Sequence, residues 1–131
     1  MENADLAYII TRLSDKSDPV FIHGKRVAKL ACAIAKAMDY SDEELKLIQQ
    51  AAAVHDIGKL GLPPEIVNKP GKLSNEERSV IRRHPELGHS LLIQIVRSES
   101  AITKVALQHH ERLDGSGYPF GLRGNAIIPI T

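Results

Sequence analysis

Apolar residues in this chain recur every three to four positions almost from end to end, which commits most of the backbone to amphipathic α-helix. Leu6, Ile9, Ile10 and Leu13 predict a short helix within residues 1–18. Asp18 followed by Pro19 supplies an N-cap and a proline at the first helical position, opening a helix over about residues 19–38. Its expected inner face is Val27, Leu30, Ala31, Ile34 and Met38, and one turn back that face reaches His23, which should point inward. Ser41 with Glu44 forms a capping box for a third helix, whose stripe of Leu45, Ile48 and Ala52 ends at His55, with Gly58 as the stop.

Residues 58–71 read as a loop interrupted by one helical turn at residues 64–67, because prolines and glycines crowd there. A second capping box, Ser74 with Glu77, opens a helix that should stop near His84, since Pro85 disfavours helical geometry at the residue before it. Leu87, Leu91, Ile95 and Val96 form the next apolar stripe, and Ile102, Val105, Ala106 and His109 the last. Residues 114–119 must be irregular. With no useful β alternation, internal repeat or interdomain linker, the expected fold is one all-α bundle.

Charge and composition narrow the function. Seventeen basic residues against sixteen acidic ones leave a formal net charge of +1, which argues against the basic field that grips a nucleic-acid polymer. Aromatics are only 4% with no Trp, so a base-stacking platform is not expected. No apolar run approaches the roughly 20 residues that cross a bilayer, and residues 1–5 lack the basic start of a signal peptide. Cys32 is the single cysteine, which rules out an internal disulfide and fits a reducing compartment. The expected location is the cytoplasm.

The six histidines are the unusual feature. They fall where helices begin or end, and His23, His55 and His109 lie on or beside inward stripes. Each alone reads more readily as a hydrogen-bonded core residue than as a ligand. Asp56 directly after His55, and His110 directly after His109, allow imidazole and carboxylate groups to converge from helix termini on one point. Such donors suit Mn, Fe or Zn, while one cysteine excludes a thiolate-rich structural zinc site, so a catalytic metal centre is favoured.

These residues also carry a family resemblance. His55-Asp56-Ile57-Gly58-Lys59 resembles the HDxGK core of the HD phosphohydrolases. The run from His109-His110-Glu111 through Asp114-Gly115-Ser116-Gly117-Tyr118-Pro119 resembles the HHExxDGxGYP motif of the HD-GYP subfamily, the cyclic di-GMP phosphodiesterases. Lys69-Pro70-Gly71, Leu73 and His84 fit between the two, and the likeness covers about residue 20 onward, so 19–131 is the expected HD-GYP-type domain and 1–18 a helix of unknown role.

The resemblance implies an HD-type helical bundle with a Gly-rich GYP loop and two divalent metal ions, Fe or Mn before Zn, Ni or Mg. His23, His55 and Asp56 would bind one ion, and Asp56 would bridge to a second held by His84, His109 and His110. A carboxylate can bridge two cations, and cations about 3.5 to 4 Å apart clamp the attacking and leaving oxygens of a phosphodiester. Lys59 either presents a charge to the scissile phosphate or is a solvated surface lysine. Tyr118 and Pro119 form a stiff wall or a docking edge for a GGDEF-type cyclase, and Arg112 is a phosphate clamp or a partner of Glu111 or Asp114.

Two departures stand out. Family members with a third metal carry a glutamate where this chain has Pro19, so two metals is the expected ceiling. Family members also continue into a helix whose aspartate completes the first metal site, whereas no aspartate follows Asp114 here. The chain therefore reads as a fragment or a natural truncation, with homodimerisation through uncovered apolar surface as one outcome. The implied activity is metal-dependent hydrolysis of cyclic di-GMP to pGpG or GMP. The alternatives are another HD-type nucleotide phosphohydrolase and a catalytically impaired binding or scaffolding module.

Overall fold

The computed structural model describes residues 18–131, so the helix expected within residues 1–18 lies outside the described residues except for Asp18. Six α-helices follow in order among these residues: α1 Pro19–Ala37, α2 Asp42–Val54, α3 Pro64–Val67, α4 Asn75–Ile81, α5 His84–Val96 and α6 Ala101–Gln108. Short 3₁₀ turns occupy Ile57–Gly61 and Gly124–Ala126. The fold is all-α.

Local chemistry sets the helix starts. The Asp18 carboxylate accepts from the Val20 amide at 2.9 Å, satisfying an amide that has no partner inside α1. Both expected capping boxes form at Ser41 and Ser74, and a third, Ser100 with Thr103, opens α6.

Helix α1 lies along α2, and α5 packs on the first 3₁₀ turn and on α6. Ile57, Leu60, Leu91, Leu92 and Ala106 form the core, with Val20, Val54 and Ile102 against them. Each of the larger aliphatic side chains contributes roughly 1.5–3 kcal/mol by leaving water.

The inner face of α1 differs from the expected one. Gly24, Ala28 and Ala35 are its buried residues, whereas Leu30, Ile34 and Met38 are exposed. The reason is close approach: a Cβ on Gly24 would stand 2.3 Å from the Ala53 carbonyl oxygen, so the α1–α2 seam admits only small residues. Ile34 and Met38 turn instead toward an open apolar groove of about 420 Å³, shared with Ile48, Val105 and Ile130. His23 moves outward with this rotation, its side chain 54% exposed rather than inward.

Three further expectations are corrected. Ile95 and Val96 are exposed, because the last turn of α5 runs past the core, and Leu92 is buried in their place. Helix α4 ends at Ile81, and His84 instead begins α5, with Pro85 in the first turn where no amide is needed. Gly58 does not stop α2, which ends at Val54; it presses the 3₁₀ turn onto α5, where a Cβ would lie 1.9 Å from the His84 carbonyl oxygen.

Candidate metal centre

Helix ends deliver the site. His55 caps α2 and Asp56 follows it, His84 opens α5, and His109 caps α6 with His110 next in the chain. Asp56 is buried at the centre, and its two oxygens divide the neighbours between them. Oδ1 lies 3.1 Å from His84 Nε2 and 3.0 Å from His109 Nε2. Oδ2 lies 3.2 Å from His55 Nε2, 3.3 Å from His23 Nε2 and 3.5 Å from Lys59 Nζ. The partial exposure of His23 opens this side of the cluster to solvent.

Two donor groups result. Asp56, His84, His109 and His110 each place a ligand atom within 4.8 Å of the others, and His23, His55 and Asp56 do the same. The structure thus brings together His23, His55, Asp56, His84, His109 and His110, the ligands expected from the sequence, with Lys59 beside them. The sixth histidine, His89, pairs with Glu99 at 3.0 Å and belongs to neither group.

The backbone fixes the rings. His55 Nδ1 donates to the Ala52 carbonyl at 2.6 Å, His84 Nδ1 to Ile81 at 2.6 Å and His109 Nδ1 to Ala106 at 2.9 Å. Each carbonyl lies three residues upstream, where a helix end leaves acceptors unpaired. With Nδ1 engaged by a carbonyl, Nε2 is the ring atom turned toward the site, the orientation that a metal-ligating histidine needs.

Electrostatics agree with cation binding. Burial raises the pKa of the Asp56 carboxyl, but hydrogen bonds from His109, His55 and His84 outweigh it and hold the group well below the usual carboxylate range. Burial lowers the pKa of His55, yet its hydrogen bond to Asp56 leaves it raised overall. Burial, with His109 and His84 nearby, pushes His110 down to about 4, so its ring is neutral at physiological pH. An ionised carboxylate ringed by imidazole Nε2 atoms fits a divalent cation. Cys32 takes no part, its Sγ meeting the Leu45 carbonyl instead.

The loop after His110 holds residues whose placement the sequence did not reveal. Tyr118 stacks on His110 with ring centroids 4.7 Å apart and planes 12° from parallel, and the Arg82 guanidinium carbon lies 5.2 Å over the Tyr118 ring. Arg82 carried no motif, so no sequence signal pointed to it. The Glu111 carboxylate accepts from the Phe120 and Leu122 amides at 2.8 and 3.0 Å, which folds the loop back on α6 and leaves Arg112 exposed.

Comparison with known proteins identifies the chain's relatives. The HD domain family matches residues 8–131. The chain is 38% identical over 118 residues to a cyclic di-GMP phosphodiesterase of Pseudomonas aeruginosa, covering 90% of this chain and 28% of that protein. It is 43% identical over 107 residues to the cyclic di-GMP phosphodiesterase response regulator RpfG of Xanthomonas campestris, covering 79% of this chain and 28% of that one. It is 42% identical over 127 residues to the 3'3'-cGAMP-specific phosphodiesterase 1 of Vibrio cholerae, covering 96% of this chain and 29% of the relative. The chain therefore spans less than a third of the length of these curated relatives, and among the described residues no helix is long and apolar enough to cross a membrane. By its matched length and its two histidine motifs, the chain belongs to the HD domain family, in its HD-GYP form.

Proposed function

We propose that this chain is the catalytic part of a metal-dependent phosphodiesterase that hydrolyses cyclic dinucleotides, cyclic di-GMP first among them, to pGpG or GMP. The observation that carries the reading is the division of Asp56, with Oδ1 toward His84 and His109 and Oδ2 toward His23, His55 and Lys59. His84, His109 and His110 with Asp56 would hold one ion, and His23 and His55 with Asp56 the other. Fe and Mn come first by the family likeness, before Zn, Ni and Mg. Divalent cations supply Lewis acidity there, lowering the pKa of water and stabilising charge on the phosphoryl oxygens.

The chain's own residues orient the reaction. Hydrolysis adds one water across a phosphodiester bond: its oxygen joins phosphorus, the P–O bond to one ribose breaks, and the departing oxygen takes a proton. Lys59 Nζ, on the Oδ2 side of Asp56, is placed to meet a non-bridging phosphate oxygen as a point charge. The half-exposed His23 marks the side by which substrate enters. Residues 19–131 form the HD-GYP unit of this reading.

Location, partners and assembly extend the proposal. A cyclic dinucleotide substrate places the chain in the cytoplasm, the GYP loop offers an edge to a GGDEF-type cyclase, and the apolar groove beside Ile34 and Met38 favours a homodimer. The test is hydrolysis of cyclic di-GMP, 3'3'-cGAMP and a panel of mononucleotides by the Mn- or Fe-loaded protein, with products separated by chromatography. Turnover of cyclic dinucleotides alone supports the proposal. Activity confined to mononucleotides transfers it to the wider HD phosphohydrolases, and tight cyclic dinucleotide binding without turnover makes the chain a binding module.

A further inference from the structure

Three of the buried-site histidines owe their orientation to a backbone carbonyl, and the fourth does not. His55, His84 and His109 each donate Nδ1–H to the residue three positions upstream, whereas among the described residues no carbonyl meets the His110 Nδ1. His110 lies on Tyr118 instead, near-parallel at 4.7 Å. Flat contact at this distance restrains ring rotation, because turning the imidazole about χ2 drives its edge into the tyrosine face.

The rest of the loop is built to hold that contact. The Tyr118 amide donates to the His110 carbonyl at 3.1 Å, so stacking and backbone join the same two residues. Gly117 makes the approach feasible: a Cβ there would lie 2.3 Å from the His110 carbonyl oxygen and 2.6 Å from the Arg112 amide. Glu111 clamps the far side of the loop through the Phe120 and Leu122 amides. Arg82, two residues before His84, lies over the Tyr118 ring at cation–π distance. Tyr118 thus links His110 to the turn that delivers His84, and both histidines belong to the four-donor group.

We propose that Tyr118 is a positioning residue for the metal centre: its ring, stacked on His110 and covered by Arg82, aims the His110 imidazole at the four-donor site as backbone carbonyls aim His84 and His109. The loop glycines serve this placement, and the role is independent of any partner docked on the loop. The inference rests on the metal-centre reading above.

The test compares the whole chain with Tyr118→Phe and Tyr118→Leu, using cobalt(II) titrations read by absorption and proton NMR of the metal-free protein. The parent should show nuclear Overhauser contacts between the His110 and Tyr118 rings, and Tyr118→Phe should keep both the ring contact and the cobalt affinity. Tyr118→Leu should weaken the four-donor site by about 10 to 100-fold, the usual cost of losing a residue that orients a ligand, while the His23/His55 site is unchanged. Equal affinity at the four-donor site in Tyr118→Leu, or equal weakening of both sites, overturns the proposal. Should Tyr118→Leu fail to fold, absence of the ring contact in the parent, or weakened cobalt binding in Tyr118→Phe, overturns it as well. A parent that keeps the ring contact yet binds no cobalt refutes the metal-centre reading and so removes the ligand that Tyr118 would position, an outcome distinct from loss of the stack.

Discussion

The Nε2 atoms of His84 and His109 lie 3.0 Å apart, each on a ring whose Nδ1 is already committed to a carbonyl. Both atoms point at the same oxygen of Asp56, so three potential ligand atoms converge where one cation would sit. The ligand test of this cluster therefore begins with Asp56. Asp56→Ala should empty both donor groups, because each uses one of its oxygens, whereas His109→Ala should empty only the four-donor group. Removal of a direct ligand should exceed the roughly 10 to 100-fold loss typical of residues one layer out. The unaltered protein should also hold metal more tightly in the four-donor group than in the group of three. Elemental analysis after dialysis measures all three; full metal content in Asp56→Ala would sink the assignment.

Lys59 separates binding from turnover. Its Nζ sits 3.5 Å from Asp56 Oδ2 and is partly exposed, so it is placed to meet substrate without being needed as a ligand. Lys59→Ala should leave metal content unchanged and lower kcat by about 100 to 1,000-fold, the range for removing one donor to a developing charge. Unchanged kcat would return Lys59 to the solvated surface.

Gly58 is a packing prediction. A Cβ there would meet backbone atoms, the His84 carbonyl oxygen at 1.9 Å and the Gly88 amide at 2.6 Å, neither of which yields as a flexible side chain does. Gly58→Ala should cost about 3 kcal/mol or more, the upper end for overpacking, and should loosen metal binding through the displaced His84. Urea unfolding with a cobalt titration reads both. A variant as stable as its parent would show that α5 and the 3₁₀ turn separate freely.

Glu77 tests the loop that precedes α4. The Lys69 ammonium at 2.7 Å, together with the Ser74 amide, holds its carboxyl down to about 2. A depressed folded value means stabilisation that is fully present above the ordinary carboxylate value of 4.5 and is lost as pH falls through 2. NMR titration should find the Glu77 midpoint near 2, and Lys69→Met should move it up toward 4.5. An unmoved midpoint would assign the shift to the helix cap alone.

Much of this was legible because the chemistry is written in adjacent residues. His55-Asp56 and His109-His110 stand at helix ends, and capping boxes at Ser41 and Ser74 fix where the helices begin. Periodicity failed where it had to choose a neighbour. It marks Leu30, Ile34 and Met38 as one apolar face, but contact with α2 was decided by Gly24, whose missing side chain lets the Ala53 backbone approach. The Arg82–Tyr118 contact joins positions far apart in the chain, and no local pattern signals such a pair.

The carbonyl bonds at His55 and His109 carry one more consequence, a matter of field rather than of ligation. Helices α2 and α6 both terminate at the site while α5 begins there, so two negative peptide-dipole ends outweigh one positive end, each equivalent to roughly half an elementary charge. A chain of formal net charge +1 thereby concentrates a negative potential at one spot with a single buried carboxylate. Small cations should reach that spot faster at low ionic strength than at high, drawn by the backbone before any imidazole touches them.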